Sequence, residues 1–351
     1  MIAYTIIIIA LLASGLRWNK EGSLDKALEV SQTNVIKGIF ILWVFLLHIL
    51  PYLERAKYQF DGFGDSLLPI FNIGQLVVVM FMFYSGYGMA YQMRTRPNYI
   101  DTIPKHRLLS TLVNFNIAVL CFLVLALFKH MPLSVAKVLL SFIGWKSLGN
   151  SNWYIFDIMC LYAFVYVAHK IPSRNPVYNF LYFTLLCVVF TVAMYCLKPF
   201  WWYDTVLCFW SGYAFAFIRP FVEPYLKKYW WGFLLGGIVV WRFCDIPRGA
   251  LSHFAKANIV SEWMVCPWLW VNVGYIGFAI ALVFAMYHLR FENPLLQWCG
   301  KHLFPIYIYQ RIPMMLFPAA FISGYPLVYF YGCLAATLAI AWCYKYWQVK
   351  L

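Results

Sequence analysis

Residues 35–53 read VIKGIFILWVFLLHILPYL, a run of almost entirely apolar side chains. A helix needs about 20 such residues to cross the hydrocarbon core of a bilayer. The rest of the chain has a similar composition, since 64% of its 351 residues are hydrophobic and only 11% are charged. Soluble domains carry about 25% charged residues. The stretch therefore predicts a transmembrane helix, and the composition predicts an integral membrane protein.

Other apolar stretches along the chain have the length and composition of a membrane span. They cover residues 68–93, 108–128, 152–169, 177–196, 200–218, 229–243, 264–287, 300–317 and 324–344. The runs are continuous rather than alternating, which favours helices over a barrel. The predicted fold is all-α, a polytopic transmembrane helical bundle with ten core helices. Residues 2–16 predict an additional N-terminal helix rather than a signal peptide, because no basic residue precedes them.

The connections between these stretches are too short to hold a folded soluble domain. We therefore expect one membrane domain over residues 35–351, preceded by an apolar helix and its connection over residues 1–34. Most of the 27 Lys and Arg residues fall on alternate connections, beginning with residues 17–37. An excess of positive charge marks the cytoplasmic side of a membrane protein. The net charge of +14 is thus a topology signal, and no basic-aromatic stripe predicts nucleic-acid binding.

His48 is the polar residue that stands out most clearly inside an apolar span. Polar side chains are costly in this environment and therefore tend to be functional. Lys37 lies eleven residues earlier, which separates the two residues by roughly 16 Å along a helix. An imidazole can take and return a proton near neutral pH. The alternative is a buried neutral histidine that bonds to a neighbour and has a structural role only.

A second group of residues lies at the end of the next predicted span. Ser85 begins the sequence Ser-Gly-Tyr-Gly, whose glycines would allow close helix packing. A basic segment follows and contains Arg94, Arg96, Lys105, His106 and Arg107. Taken alone, this segment is explained by the positive charge expected on cytoplasmic connections. Together with a histidine deeper in the membrane, it suits a phosphorylated donor that enters from the cytoplasm.

Four motifs occur in order along the chain. They are Lys37-x10-His48, Phe83-Tyr84-Ser85-Gly86-Tyr87, Asn152-Trp153-Tyr154-Ile155 and the stretch Gly300–Tyr309. Their order and spacing resemble the acyltransferase-three family of integral membrane O-acyltransferases. The similarity is to the subgroup that acetylates bacterial surface polysaccharides and their lipid-linked precursors. It covers roughly residues 30–345.

Two positions depart from the pattern of this family. The family usually has Arg-x-x-Arg at the start of its third core helix, and this chain keeps only Arg107. Donor contacts are therefore also expected from Lys105, His106, Arg94 or Arg96. The family often places His after its late Tyr-Leu motif, where this chain has Gln310-Arg311. An arginine inside the membrane needs a partner, and Asp157, Asp204 and Glu262 are the candidates.

The resemblance implies transfer of an acetyl or other small acyl group from cytoplasmic acyl-CoA to a hydroxyl of an extracytoplasmic glycan. It implies a multi-pass protein of the bacterial inner membrane, with acetyl-CoA as donor substrate and no metal. His48 would be the general base. Lys37 and the basic residues around Arg107 would bind the phosphates of coenzyme A. Candidates to stabilise the oxyanion are Ser85, Asn114 and Trp153, and candidates to orient the imidazole are Asp157, Asp204 and Glu262.

Two other classes of function fit part of this pattern. Buried His, Asp and Arg residues also form proton relays in transporters, so a transporter or flippase for a glycan or small polar compound is the main alternative. The sequence lacks the paired inverted repeats and matched broken helices typical of transporters. A non-catalytic scaffold in polysaccharide assembly would leave His48 without a role. Binding or hydrolysis of acyl-CoA by the purified protein separates these classes.

Overall fold

The computed structural model describes residues 6–7, 10–11, 13–58, 74–172, 175–256 and 267–351. The described chain is a bundle of α-helices. In chain order its helices are α1 (Leu24–Ala27), α2 (Val30–Arg55), α3 (Leu76–Thr95), α4 (Tyr99–Phe128), α5 (Val135–Ser141), α6 (Trp153–Lys170), α7 (Pro176–Leu197), α8 (Val206–Lys228), α9 (Trp230–Lys256), α10 (Pro267–Ala285), α11 (Pro294–Lys301), α12 (Leu303–Tyr309), α13 (Arg311–Leu316), α14 (Ala319–Gly324) and α15 (Pro326–Cys343). A 3₁₀ turn, Phe200–Trp202, precedes α8.

Seven helices of the described chain are long and apolar enough to cross a membrane. They are Val30–Arg55, Leu76–Thr95, Tyr99–Phe128, Pro176–Leu197, Phe200–Lys228, Trp268–Ala285 and Pro326–Tyr346. The prediction of an all-α polytopic membrane protein is therefore confirmed. Helix α6 matches the predicted span 152–169 in position but is not among the seven. The predicted N-terminal helix and the starts of spans 68–93 and 264–287 lie wholly or partly outside the described residues.

The predicted span 300–317 differs from the structure, where the chain forms three short helices, α11 to α13. Breaks occur at His302 and Gln310. A proline lacks the N–H that would bond to the carbonyl four residues earlier. Pro305 and Pro313 therefore leave the carbonyls of Lys301 and Tyr309 without their helical partners, and these positions lie at the two breaks. Hydropathy reports the length of the apolar run but does not indicate where prolines interrupt the helix.

Glycines fix the closest approaches between helices. A Cβ atom at Gly86 of α3 would collide with the carbonyl of Phe209 in α8, and one at Gly212 of α8 would collide with that of Phe83. The same relation holds for α2 and α11, where Gly38 faces the backbone of Leu296. Small residues of this kind let backbones pack directly in membranes. These contacts fix α3, which carries Ser85, against α8, and α2, which carries His48, against α11.

A short antiparallel sheet links the start of the chain to the connection after α10. Strand β1 (Leu16–Trp18) pairs with β2 (Leu289–Phe291), with Arg17 opposite Arg290. Arg17 also forms an ion pair with Glu292, at 3.1 Å. The sheet and the basic connections before α2 therefore lie at the same end of the bundle.

The charge pattern predicts that this end faces the cytoplasm. Cysteines introduced at Arg96 and Arg55, both exposed at opposite ends of neighbouring helices, test this orientation. We expect Arg55→Cys to react with a membrane-impermeant maleimide in intact cells, and Arg96→Cys to react only after permeabilisation. The background variant lacks the exposed Cys121 and Cys196. The reverse labelling pattern would show that the protein has the opposite orientation in the membrane.

Candidate active site

The first of two cavities lies at the end of the bundle that contains Lys37, and we call it the Lys37 cavity. It has a volume of about 530 Å³. Helices α1, α2, α3, α4, α6 and α8 surround it through residues that include Asp25, Glu29, Lys37, Ser85, Gly88, Arg107, Tyr162 and Arg219. The predicted pair Lys37 and Arg107 therefore meets at one site, although 70 residues separate the two in sequence. Ser85, predicted as an oxyanion donor, lies in the same cavity.

Arg107 reaches this cavity from an irregular part of α4. Residues Ile103–Leu109 form a π-helical segment with Pro104 near its start. Such wide turns are rare and often occur at functional sites. The Nε atom of Arg107 donates a hydrogen bond to the Tyr99 hydroxyl, at 3.0 Å. This bond leaves the terminal nitrogens of the guanidinium group free to face the cavity.

Arg219 is a third cation in this cavity, and the sequence analysis assigned it no role. It is buried, and its guanidinium group donates hydrogen bonds to the Tyr87 hydroxyl at 2.8 Å and to Asp25 at 2.5 Å. Glu223 lies 3.4 Å away on the same helix. These carboxylates offset the charge of Arg219. Within the described chain, by contrast, no carboxylate lies within ion-pair distance of Lys37 or Arg107.

The other basic residues predicted to contact the donor do not line the Lys37 cavity. Arg94 donates a hydrogen bond to the carbonyl of Ala216, at 3.2 Å, and lies over the Tyr91 ring. Arg96, Lys105 and His106 are exposed. The structure therefore brings Lys37 and Arg107 together and leaves these four residues on the surrounding surface, where their donor role stays a prediction.

The second cavity, which we call the His48 cavity, has a volume of about 420 Å³. Its lining includes His48, Gln75, Trp153, Trp201, Asp204, Tyr275 and Tyr307. The Nδ1 atom of His48 is buried and has no hydrogen-bond partner among the described residues. This observation favours a functional histidine, because a structural one would bond to a neighbour. Trp153, another predicted oxyanion donor, lies in the same cavity as His48.

Of the three acidic residues predicted to orient His48, one lines the His48 cavity. Asp157 is fully buried in α6, and neither of its carboxylate oxygens has a hydrogen-bond partner in the described part of the chain. It lines neither cavity. Asp204 does line the His48 cavity, and Glu262 lies outside the described residues. Orientation of the imidazole by any of these carboxylates stays a prediction.

Arg311 forms no ion pair with Asp157 or Asp204. It lies instead close enough to His48, Tyr52 and Tyr307 for electrostatic interaction with each of them. Arg311 does not line the His48 cavity, so its charge acts on these groups at longer range. The sequence analysis noted the arginine but searched for its partner among carboxylates only.

Asn114 lies away from both cavities. Its Nδ2 atom donates hydrogen bonds to the carbonyls of Ser110 and Val349, at 2.8 and 2.9 Å, and its Oδ1 atom accepts one from the Val349 N–H at 3.0 Å. These bonds tie the C-terminal segment to α4. The geometry gives Asn114 a structural role and lends no support to its predicted place as an oxyanion donor.

A pair of buried tyrosines separates the two cavities. Tyr307 lines the His48 cavity, and its ring lies 6.1 Å from the His48 ring. The Tyr154 ring lies 5.4 Å from that of Tyr307 and meets it edge to face. On its other side Tyr154 interacts with Ser85 of the Lys37 cavity. Ser85, Tyr154, Tyr307 and His48 thus form a continuous row from one cavity to the other.

One known family matches the chain. The family model for the acyltransferase domain, family three, covers residues 31–346. No curated protein and no solved structure is significantly similar to the chain. The match begins within α2 and ends after α15, so it contains the His48 cavity, the tyrosines between the two cavities and most of the lining of the Lys37 cavity. The chain therefore belongs to the acyltransferase-three family and is a multi-pass membrane acyltransferase.

Proposed function

We propose that the protein transfers an acetyl or other small acyl group from cytoplasmic acyl-CoA to a hydroxyl of a surface polysaccharide or its lipid-linked precursor. The observation that carries this proposal is the placement of the two cavities along α2. Lys37 lines one cavity and His48 lines the other, roughly 16 Å apart along the helix axis. A cationic site and an imidazole with an unpaired nitrogen thus lie at different depths of the helix bundle.

The Lys37 cavity has the chemistry of a donor site. Coenzyme A carries several phosphate charges, and no carboxylate of the described residues forms an ion pair with Lys37 or Arg107. Opposite charges attract more strongly in the low dielectric of a protein than in water. The volume of the cavity falls in the range of about 300–1,000 Å³ that is usual for small-molecule sites. It suits the phosphorylated part of the donor, while the thin pantetheine arm extends toward Tyr154 and Tyr307.

The His48 cavity has the chemistry of the transfer step. An unpaired imidazole nitrogen of His48 takes the proton of the acceptor hydroxyl while the hydroxyl oxygen attacks the thioester carbonyl. The resulting oxyanion lies near Trp153, which lines the same cavity and is a candidate to stabilise it. The carbon–sulfur bond then breaks, and the coenzyme A thiolate takes up the proton from the imidazolium. The products are an ester and free coenzyme A, and His48 returns to its starting form.

The large size of the acceptor is consistent with separate cavities for donor and acceptor. A polysaccharide unit cannot enter a narrow bundle, whereas a pantetheine chain is thin enough to pass between side chains. Transfer across the membrane therefore needs only the donor arm to reach the second cavity. The family match favours this acyl transfer over transport, and no contact within the described residues favours a transporter.

Replacement of Arg107 tests the donor site. We expect Arg107→Gln to raise the KM for acetyl-CoA at least about tenfold, because a hydrogen bond to a charged group contributes about 1.5–3 kcal/mol. The measurement is acetyl-CoA turnover by the purified protein in nanodiscs, together with binding of a non-hydrolysable coenzyme A analogue. Lys228→Gln is the matched control, since Lys228 is exposed and lines neither cavity. An unchanged KM and unchanged binding in Arg107→Gln would place the donor elsewhere.

A further inference from the structure

The turn that precedes α8 gives the His48 cavity a buried carboxyl group, that of Asp204. Asp204 is 2% exposed and lines this cavity. Its Oδ1 atom has no hydrogen-bond partner among the described residues. A buried polar atom left unpaired is costly. The cost is recovered when a ligand in the cavity donates a hydrogen bond to this oxygen.

The same turn brings aromatic side chains to the rim of the cavity. Phe200 and Trp201 both line it, and they are 37% and 48% exposed. Exposed tryptophans are common at membrane interfaces, but Trp201 also faces the space next to His48. The face of an aromatic ring carries partial negative charge and attracts the weakly positive C–H groups of a sugar ring.

The backbone of this turn is held rigidly. Trp202 is buried, and its ring packs against the rings of Trp145 and Phe156 at 6.0 and 5.7 Å. The ammonium group of Lys198 lies between Trp145 and Trp202, 3.6 and 3.9 Å from the two ring centroids. Trp268 donates a hydrogen bond to the carbonyl of Tyr203, at 3.2 Å. Trp201 and Asp204 are therefore preorganised, which lowers the entropy lost on binding.

The charge of the His48 cavity contrasts with that of the Lys37 cavity. Among the described residues that line it, Asp204 is the sole carboxylate, and none is Lys or Arg. A ligand that brings a carboxylate or phosphate into this cavity finds no Lys or Arg in the described lining to pair with. A neutral ligand rich in hydroxyl groups needs no such partner.

We propose that the turn of residues 200–204 recognises the acceptor as a neutral pyranose ring. Trp201 stacks on the apolar face of the sugar, and Asp204 accepts a hydrogen bond from a hydroxyl adjacent to the one that His48 deprotonates. The inference rests on the proposed acyl transfer and narrows its acceptor to uncharged sugars. Uronic acids fit less well, because their carboxylate would find no Lys or Arg in the described lining of the cavity.

The test uses the full chain in nanodiscs with acetyl-CoA as donor and methyl glycosides as acceptor probes. The probes are methyl β-D-glucopyranoside, methyl β-D-galactopyranoside, their monodeoxy derivatives and the methyl glycoside of glucuronic acid. Ester formation is measured by mass spectrometry, and release of coenzyme A is measured in parallel. We expect transfer to at least one neutral glycoside, and slower transfer to the glucuronide.

The variants separate stacking from hydrogen bonding. Trp201→Ala is expected to raise the KM for the glycoside without changing the KM for acetyl-CoA, and Trp201→Phe to restore most of the loss. Trp231→Ala is the matched control, because Trp231 is 55% exposed and lines neither cavity. Wild-type protein should discriminate against one monodeoxy glycoside by about fivefold or more, because loss of the sugar hydroxyl leaves the buried Oδ1 of Asp204 unpaired, at a cost of about 1–3 kcal/mol. Asp204→Leu, which has a similar side-chain volume but no hydrogen-bond acceptor, should abolish this discrimination.

Each outcome has a separate meaning. An unchanged glycoside KM in Trp201→Ala, or full retention of deoxy-sugar discrimination in Asp204→Leu, would overturn the assigned recognition. Faster transfer to the glucuronide than to every neutral glycoside would do the same. Release of coenzyme A without transfer to any glycoside would contradict the sugar site and leave the donor site standing. A wild-type protein that neither binds nor turns over acetyl-CoA would contradict the proposed function itself.

Discussion

His48→Gln is expected to lower acyl transfer by about 10²–10⁴-fold, the usual contribution of a general base. Glutamine has a similar size and retains hydrogen bonding but cannot take up the proton. The fold should not depend on this side chain, since Nδ1 of His48 has no partner within the described chain. Binding of acetyl-CoA should also persist, because the donor phosphates lie in the other cavity. The measurements are transfer per folded molecule, thermal stability and donor binding.

His288 offers a matched control with a structural histidine. Its Nδ1 atom lies 2.7 Å from the carbonyl of Asn19, and its ring stacks on Trp18. His288→Gln should therefore lower thermal stability while turnover per folded molecule stays close to that of the wild type. The same pattern in His48→Gln, with near-normal turnover of the protein that remains folded, would remove His48 from the reaction.

Gly86→Ala is expected to lower the stability of the whole bundle. The added methyl group would overlap the carbonyl of Phe209, which cannot move without displacing α8. Overpacking of this kind costs about 1–3 kcal/mol, and more where backbone must shift. The expected result is a lower Tm and less folded protein in the membrane, measured by thermal scanning with size-exclusion chromatography. Activity per folded molecule should also fall, because α3 carries Ser85.

Gly332→Ala is the control for this effect. Gly332 lies in α15, and no atom lies within 4 Å of the position that its Cβ would occupy. Alanine favours a helix by about 0.5–1 kcal/mol over glycine, so Tm should stay the same or rise slightly. Gly212→Ala should resemble Gly86→Ala, since both residues lie at the same crossing. A Gly86→Ala protein as stable as Gly332→Ala would show that α3 and α8 are not in direct backbone contact.

The sequence predicts the membrane fold well because a transmembrane helix is recognised from the composition of one continuous segment. A run of about 20 apolar residues is readable without knowledge of neighbours, and most predicted spans lie close to observed helices. Span 300–317 shows the limit of this approach. Its composition suits a single helix, but Pro305 and Pro313 interrupt the hydrogen-bond pattern locally. The broken segment places Tyr307 against His48 and Arg311 close to it.

The site is predicted less completely because it depends on contacts between distant segments. Lys37, Arg107 and His48 carry visible signals, since charged or polar residues are rare in apolar runs. The bond between Asn114 and Val349 spans 235 residues, and no local pattern indicates it. Asn114 was therefore a reasonable oxyanion candidate until its polar atoms were seen to be occupied. Arg219 lies just beyond the predicted span 200–218, which made it resemble an ordinary cytoplasmic charge.

The buried tyrosines between the two cavities have a consequence for the energetics of the cell. The cavities reach toward opposite faces of the bilayer, so a water-filled connection between them would let protons and small ions leak down the membrane potential. Tyr154 and Tyr307 are 6% and 2% exposed and meet edge to face. Each proton that crosses a potential of 100 mV releases about 2.3 kcal/mol. In the proposed reaction a closed aromatic pair would therefore limit this leak, and the donor arm would have to pass the two rings without admitting water.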